Sequence, residues 1–284
     1  MSAAKFLAFW ELSAEARHMV TRGMALQGGP AKRLKRMPAL ELVRRLKRYK
    51  EAYHTFPHMT SPYVYPVGGF GASLPQAMAH VLEENGGMRL SEEGCVGEVV
   101  CAEGGGVSGV TSHGAPISAD CVVSAPEHAP DCVTQRYQIV RLYAVLSHPP
   151  NLCKDATSCQ LLLPGRHCGR AHDVYLSAYG ALHRVAPKGK WVVVVSARVE
   201  GSTEGLDALE VAKRELAAAL PLLKPTRKLF AEVVPYYEPS TDAPPAGLHV
   251  LASADETSYF DSVEADLEAV FQRVTGEELV TAVR

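Results

Sequence analysis

Two short stretches bring together residue types that could do chemistry. The first is Gly69-Phe70-Gly71-Ala72-Ser73-Leu74, which follows an extended run and opens a helical pattern. Glycines in that setting can cradle a dinucleotide: one makes the turn, one lets the backbone approach the pyrophosphate, and a third lets helix pack on strand. Here Leu74 stands where the third glycine belongs, and no acidic residue follows about 20 positions on to take a ribose hydroxyl. The expectation is a turn without a nucleotide. The second stretch is His167-Cys168 with His172-Asp173, a cysteine and two histidines within six residues. Such donors can take up a metal adventitiously, but the spacing is not that of a zinc site, and Asp173 is expected to hydrogen-bond at a strand start. There is no G-x-S-x-G elbow and no H-E-x-x-H, and the eleven histidines are scattered. Cys159 sits among apolar residues and is expected to be buried rather than reactive. The reading is a protein with no catalytic residue, no metal and no cofactor.

The elements around these stretches set what they can do. Ser61-Pro62 is extended because proline restricts its predecessor, and Tyr63 to Val67 continues that run. From Leu74 the period becomes helical, with Pro75 in the first turn, Ala77, Met78, Val81 and Leu82 on one buried face, and Asn85-Gly86-Gly87 as the stop. Upstream, Ser13 to Leu26 reads as a helix with Ser13 as N-cap, stopped by Gln27-Gly28-Gly29-Pro30. A second amphipathic helix runs from Pro38 to Tyr53, with Ala39, Leu42, Val43, Leu46, Tyr49 and Tyr53 on one side. Basic charge concentrates between and on these helices, from Lys32 to Lys50. That face either is simply solvated or meets acidic lipid head groups or an acidic partner.

Downstream, Val96–Ala102, Val107–Ser112 and Ile117–Ser124 read as an antiparallel meander. Tyr137–Leu146, Cys159–Leu163, Val174–Tyr179 and Trp191–Val199 supply longer strands, with Val192 to Val195 suited to burial on both faces of a sheet. A helix over Leu206–Leu220 turns Leu209, Ala212, Leu216 and Leu220 inward. Strands Phe230–Val234 and Leu248–Ala252 flank a proline-rich loop, and a last helix, Asp261–Val274, points Val263, Leu267, Val270 and Phe271 inward behind a cap at Ser258 or Asp261.

The whole-chain balance narrows the class. With 29 basic and 31 acidic residues the chain is near neutral, which gives no argument for nucleic acid as a partner. Seven cysteines without a C-x-x-C pair are poor material for a disulfide framework and point to a reducing compartment. Met1 to Trp10 is too short for a signal peptide and Trp191 to Val195 too short to span a bilayer, so a cytoplasmic protein is expected.

The residues themselves resemble a family. Ser61-Pro62-Tyr63-Val64-Tyr65-Pro66, Gly71, Leu74-Pro75-Gln76 and Gly86-Gly87 are similar to a segment of the Rab GDP dissociation inhibitors and Rab escort proteins. Further similar blocks follow in order: Ser147-His148-Pro149, Ser158-Cys159-Gln160 with Leu163-Pro164, His172-Asp173-Val174-Tyr175, Lys188-Gly189-Lys190 and Arg273-Val274-Thr275-Gly276. The resemblance covers nearly the whole chain. It implies an α/β (α+β) fold like that of FAD/NAD(P)-binding proteins, with mixed sheets plus a small helical domain. Residues 1–58 would be a helical, prenyl-binding-like remnant and 59–284 a sheet-rich platform for the GTPase.

The family implies a binding function. Its members hold GDP-bound, prenylated Rab GTPases, slow GDP release and carry them between membrane and cytosol in vesicle-mediated transport. By resemblance, the prenyl pocket would involve Met19, Val20, Met24, Leu42, Val43 and Leu46, and the mobile loop near the membrane His54, Phe56, His58 and Met59. The platform would involve Ser73, Leu74, Gln76, His80, Met88 and Leu90. The implied partners are prenylated GDP-bound Rab GTPases, with transient membrane contact, for a monomer. Ser73 and His80 depart from the family's acidic residue and arginine, and one extra residue stands between Tyr65 and Leu74. Each lost charge weakens a pairing with the GTPase. The strand, glycine-rich turn and helix with which the family normally begins do not precede Ser13, so the resemblance implies an N-terminally shortened member lacking the first nucleotide-fold strand. Other readings stay open: a Rab escort protein, which additionally docks a prenyltransferase; a remnant of a flavin-dependent oxidoreductase, because Pro66-Val67-Gly68-Gly69-Phe70-Gly71 also resembles the turn of flavin amine oxidases; and an inactive or structural relative that binds neither lipid nor GTPase.

Overall fold

The computed structural model of the chain describes residues 1–27, 32–55, 61–66, 69, 73–89, 97–153, 156–224, 228–240, 244–257 and 259–279. Helices α1 (Ala3–Phe9), α2 (Ala14–His18), α3 (Lys32–Arg36), α4 (Ala39–His54) and α5 (Leu74–Glu84) come first. Strands β1 (Val99–Cys101), β2 (Val107–Ser112), β3 (Ala115–Ser118), β4 (Val122–Ser124), β5 (Val133–Leu146), β6 (Ser158–Leu163), β7 (Val174–Tyr179) and β8 (Trp191–Arg198) follow. Then come α6 (Ala208–Glu215), β9 (Lys228–Pro239), β10 (Leu248–Val250) and α7 (Asp261–Thr275). The chain divides into two units, one of Met1–Ala77, Val140–Glu232 and Glu256–Tyr259, the other of Met78–Ile139, Val233–Asp255 and Phe260–Arg284. The expected boundary between residues 58 and 59 falls inside the first of these.

In the first unit, the N-terminal helices share a small core of Ala3, Leu7, Ala25 and Leu42, against which Phe6, Leu12, Val20, Leu34, Met37 and Leu46 pack. Helix α1 occupies the stretch that sequence reading left without structure; Ser2 caps it, its hydroxyl accepting from Lys5 N. This unit also holds β6, β7 and β8 of a sheet of order β6-β7-β8-β5-β9, whose β5 and β9 fall partly in each unit. Strands β6 and β7 pair antiparallel from Ser158↔Tyr179 to Leu163↔Val174, and β7 pairs β8 the same way. On β8, Val193, Val195 and Ala197 are fully buried, but Val192 and Val194 are only half-buried. The expected two-sided burial is therefore complete on one face and partial on the other, where Ser196 is buried: β-branched propensity marks a strand without deciding how much covers each face.

Helix α6 begins with a capping box, Asp207 accepting from Glu210 N at 2.8 Å while Glu210 accepts from Asp207 N at 3.0 Å. Its buried residues are Val211, Ala212 and Glu215, followed by Leu216 and Ala219; Leu209 and Leu220 are half-buried. Glu215 is a carboxylate only 4% exposed, and its partners explain how it is tolerated. It accepts from Arg170, from Arg214 at 2.7 and 3.0 Å, and from the backbone N–H of Gly201 at 3.1 Å. Burial raises a carboxyl pKa; Arg170, Gly201 and Arg214 outweigh that here and hold Glu215 below its ordinary value.

The second unit is built on smaller sheets. Strands β1, β2 and β3 form the expected antiparallel meander, with His113 and Gly114 both at positive φ, 48° and 78°, in the β2–β3 turn. The run expected over Ile117–Ser124 is divided: its start belongs to β3, and its end is β4, which pairs parallel with β10 from Val122↔Leu248 to Ser124↔Val250. Helix α7 buries Val270, whereas Val263 and Leu267 are exposed. It starts after Phe260 with no side-chain cap; the proposed cap Ser258 lies outside the described residues.

Helix α5 corrects another expectation. Met78, Val81 and Leu82, read as a buried face, are 66%, 57% and 52% exposed, and no residue of the helix is buried. Helical spacing creates an apolar face, but only a second surface turns it into core, and no described element does so here. Gly86, at φ 83°, ends the helix as expected. Cys159 also departs from its expected state, being bonded to Cys153, six residues earlier, with Cα atoms 5.8 Å apart. Spacing motifs do not register such a pair, because a turn brings it together.

Because Glu215 is ionised and fully bonded in the folded protein, its contribution to stability is present above the ordinary carboxylate pKa and is lost as pH falls through its lowered value. Glu215→Gln is expected to cost about 3 kcal/mol at neutral pH by removing the buried carboxylate that Arg170 and Arg214 share. The difference from wild type should shrink in acid; urea titrations across that range would show it, and a constant difference would remove the charge argument.

Candidate functional site

A cavity of about 450 Å³ lies in the first unit, between the α2 region and β6. Its wall on the helical side is carried by α2 and the turn after it, and Ser13 caps α2 as expected, its hydroxyl accepting from Ala16 N at 3.1 Å. After His18 the helix widens into a π-turn, Met19–Met24. Thr21 Oγ1 donates to the carbonyls of Arg17 and His18 at 2.8 and 3.3 Å, while Ala25 N reaches back five residues to Val20 O and Gln27 N six to Thr21 O. Leu26 closes the turn at φ 49°, a strained conformation for a bulky side chain. His18, Met19, Arg22, Gly23 and Leu26 line the cavity from this segment.

The opposite wall is β6 and the loop after it. Gln160, Leu161 and Leu162 precede Pro164 and a 3-10 turn, Gly165–His167. Position 165 must be glycine, because a Cβ there would come within 2.4 Å of His172 O. Asp173, at the start of β7, accepts from Gly165 N at 3.0 Å, the role expected from sequence. Its other oxygen lies 3.1 Å from Arg22 Nη1, off a hydrogen-bonding direction, so this contact is an ion pair; the two side chains are 14% and 6% exposed. Arg22 Nη1 also donates to Gln27 O at 3.1 Å. Tyr49, Tyr63 and Tyr259 add aromatic wall.

The electrostatics of the cavity follow from burial. Burial lowers the pKa of the His18 imidazole, so it is neutral at pH 7, and burial raises the Tyr259 hydroxyl. His18 Nε2 and Gln160 Oε1 are buried without a protein partner among the described residues. A cavity with apolar and aromatic walls that also carries Glu15, Arg22 and Arg166, and two buried polar atoms without a protein partner among the described residues, suits a ligand with polar atoms on an apolar body. His167 and Cys168 do not join His172 in one site: His167 lines the cavity, and His172 pairs with Glu200 at 3.1 Å. Among the described residues no three His, Cys, Asp or Glu form a metal-binding group.

The family-derived residues fall in different places. Leu42 is fully buried in the helical core, and Val20 and Leu46 pack against that core. Met24 is half-buried, Val43 is 39% exposed, and of the six only Met19 lines the cavity. Ser73, Leu74, Gln76 and His80 lie at or on α5, where His80 sits 3.3 Å from Glu84, and Met88 follows it, exposed. His54 ends α4, whereas Phe56, His58, Met59 and Leu90 lie outside the described residues. Sequence reasoning missed Arg22, Tyr49 and Tyr259 as wall residues; Arg22 is an isolated charge within an apolar helical pattern, and that was the available signal.

Comparison with known proteins places this geometry. A family model described as GDP dissociation inhibitor matches residues 1–284. Guanosine nucleotide diphosphate dissociation inhibitor 1 of Arabidopsis thaliana is 34% identical over 243 residues, covering 85% of this chain and 52% of that protein. Inhibitor 2 of the same plant is 32% identical over the same coverage. Among solved structures, the Rab GDI from Plasmodium falciparum has the same fold, with a TM-score of 0.86 at 24% identity, over 99% of this chain and 61% of that one. The chain belongs to the GDP dissociation inhibitor family, as its motifs implied, and spans about half the length of the curated relatives it matches.

The ion pair Arg22–Asp173 is expected to be strongly coupled. Arg22→Met and Asp173→Asn should each cost about 3 kcal/mol, and the double variant clearly less than their sum. A double-mutant cycle by chemical denaturation measures this, and additive losses would mean that the pair does not hold the helical turn to the sheet.

Proposed function

We propose that this chain acts as a Rab GDP dissociation inhibitor, a regulator that binds rather than catalyses. The family match over the whole chain carries the reading, and the shared fold supports it. Its partners are GDP-bound, prenylated Rab GTPases, which it keeps in the GDP state and shuttles between membrane and cytosol. The physical demand is large: a geranylgeranyl group exposes some twenty carbons at roughly 0.8 kcal/mol per CH₂, so holding it in water needs an apolar receiving surface. In this reading the helical region supplies that surface through Met19, Val20, Met24, Val43 and Leu46, with Leu42 in the core behind them. The start of α5, with Ser73, Leu74, Gln76 and His80, and the following Met88 and Leu90 meet the GTPase. The segment from His54 to Met59 approaches the membrane, and the protein works as a cytoplasmic monomer.

The test is extraction of a GDP-loaded, geranylgeranylated Rab GTPase from liposomes, which the chain should increase in the soluble fraction. Val43, being exposed, can be changed without disturbing the core, so Val43→Asp should reduce extraction with an unchanged circular dichroism spectrum. Leu42→Asp, by contrast, should unfold the helical region, because it places a charge at a fully buried position. A folded protein that leaves the GTPase on the liposomes would sink the reading.

A further inference from the structure

We propose that α4, together with the end of α1, is a docking surface for anionic lipid bilayers. The first observation is charge. From Lys32 to His54 the chain has nine basic and two acidic residues, a net charge of +7 in a protein of net charge −2. The second is where α4 points those charges. Leu42 faces the helical core and Leu46 packs on it, which turns the opposite side outward: Leu40, Arg44, Lys47 and Lys50 are exposed. The acidic residues of α4 offset only part of this charge: Glu41 pairs with Arg45 at 2.9 Å, and Glu51 pairs on the outer face with Lys47 at 3.5 Å, so with nine basic residues against two the excess stays positive.

The third observation is apolar. Leu40 is 59% exposed within the basic face, and α1, packed in the same helical core, leaves Phe9 and Trp10 73% and 60% exposed at its end. An acidic protein or a polynucleotide would account for the charge but not for Leu40 exposed within it, nor for Phe9 and Trp10 exposed on the same small helical unit. A bilayer interface accounts for both: phosphates pair with Arg and Lys, whose long stems reach them, while aromatic rings settle at head-group level. No helix among the described residues is long and apolar enough to cross a membrane, so this is contact with a surface. It deepens the membrane contact of the reading above and rests on that contact, though it does not require the GTPase.

The test uses the cargo-free protein and two kinds of vesicle, phosphatidylcholine alone and phosphatidylcholine with phosphatidylserine. The protein should sediment with the anionic vesicles only, and less so as salt rises. At about 1 kcal/mol per basic residue near the surface, the combined change Arg44→Glu, Lys47→Glu and Lys50→Glu should weaken binding about a hundredfold with the fold intact. Trp10 fluorescence should shift to the blue on the vesicles; since the chain has two tryptophans, a shift that survives Trp10→Phe comes from Trp191 and overturns the placement of α1. Equal binding to neutral vesicles, or charge-reversed protein that binds as before, also overturns the proposal, as does binding to RNA or heparin without binding to the anionic vesicles. GTPase extraction from purely neutral vesicles tests the inhibitor reading separately, so the two can fail independently.

Discussion

The contact between Arg22 and Asp173 is the constraint from which the cavity follows. Asp173 ties together three pieces that are distant in sequence: the π-turn through Arg22, the 3-10 turn after β6 through Gly165 N, and the start of β7, which it begins. With Arg22 and Asp173 largely out of water, neither charge can be lost without leaving the other poorly solvated. The helical turn is therefore held at one place over β6.

Polar groups in the first unit fall into two kinds. Glu215 and Asp173 are buried with partners of opposite charge and backbone donors, as buried carboxylates must be. His18 Nε2 and Gln160 Oε1 are buried and have no such partner among the described residues, and both residues line the cavity. Folding supplies the first kind with opposite charges and backbone donors. The second kind gains only when something enters, which is why the cavity, rather than the charge network at Glu215, is the part of this unit suited to a ligand.

Sequence patterns were most reliable where local physics decides. The strands of the large sheet, the meander, the N-cap at Ser13 and the stop at Gly86 were all legible, because β-branched runs, capping hydroxyls and glycine φ act within a few residues. The family resemblance extended that reading to the fold, which the solved Rab GDI shares. What could not be read was tertiary. Helix α1 depends on packing Ala3 and Leu7 against Leu42, the parallel partner of β4 arrives some 125 residues later in β10, and the Cys153–Cys159 bond depends on a turn. The cavity was illegible for the same reason: Arg22 and Asp173 gain meaning only when 150 residues of chain bring them together.

Helix α5 shows how far geometry constrains the binding reading. Its Leu74, Met78, Val81 and Leu82 are spaced four, three and one residues apart and lie on one side, while Ser73, Gln76 and His80 project about half a turn away. A partner that meets the polar row through hydrogen bonds cannot at the same time cover the apolar row. An eleven-residue helix is also marginal by itself, since nucleation is costly and most helical stability comes from packing an apolar face. Full ordering of α5 thus requires two different surfaces, an apolar one against Met78 and Val81 and a polar one against Gln76 and His80. A GTPase that meets Ser73, Gln76 and His80 satisfies the second requirement only, so its affinity depends on what stabilises the first.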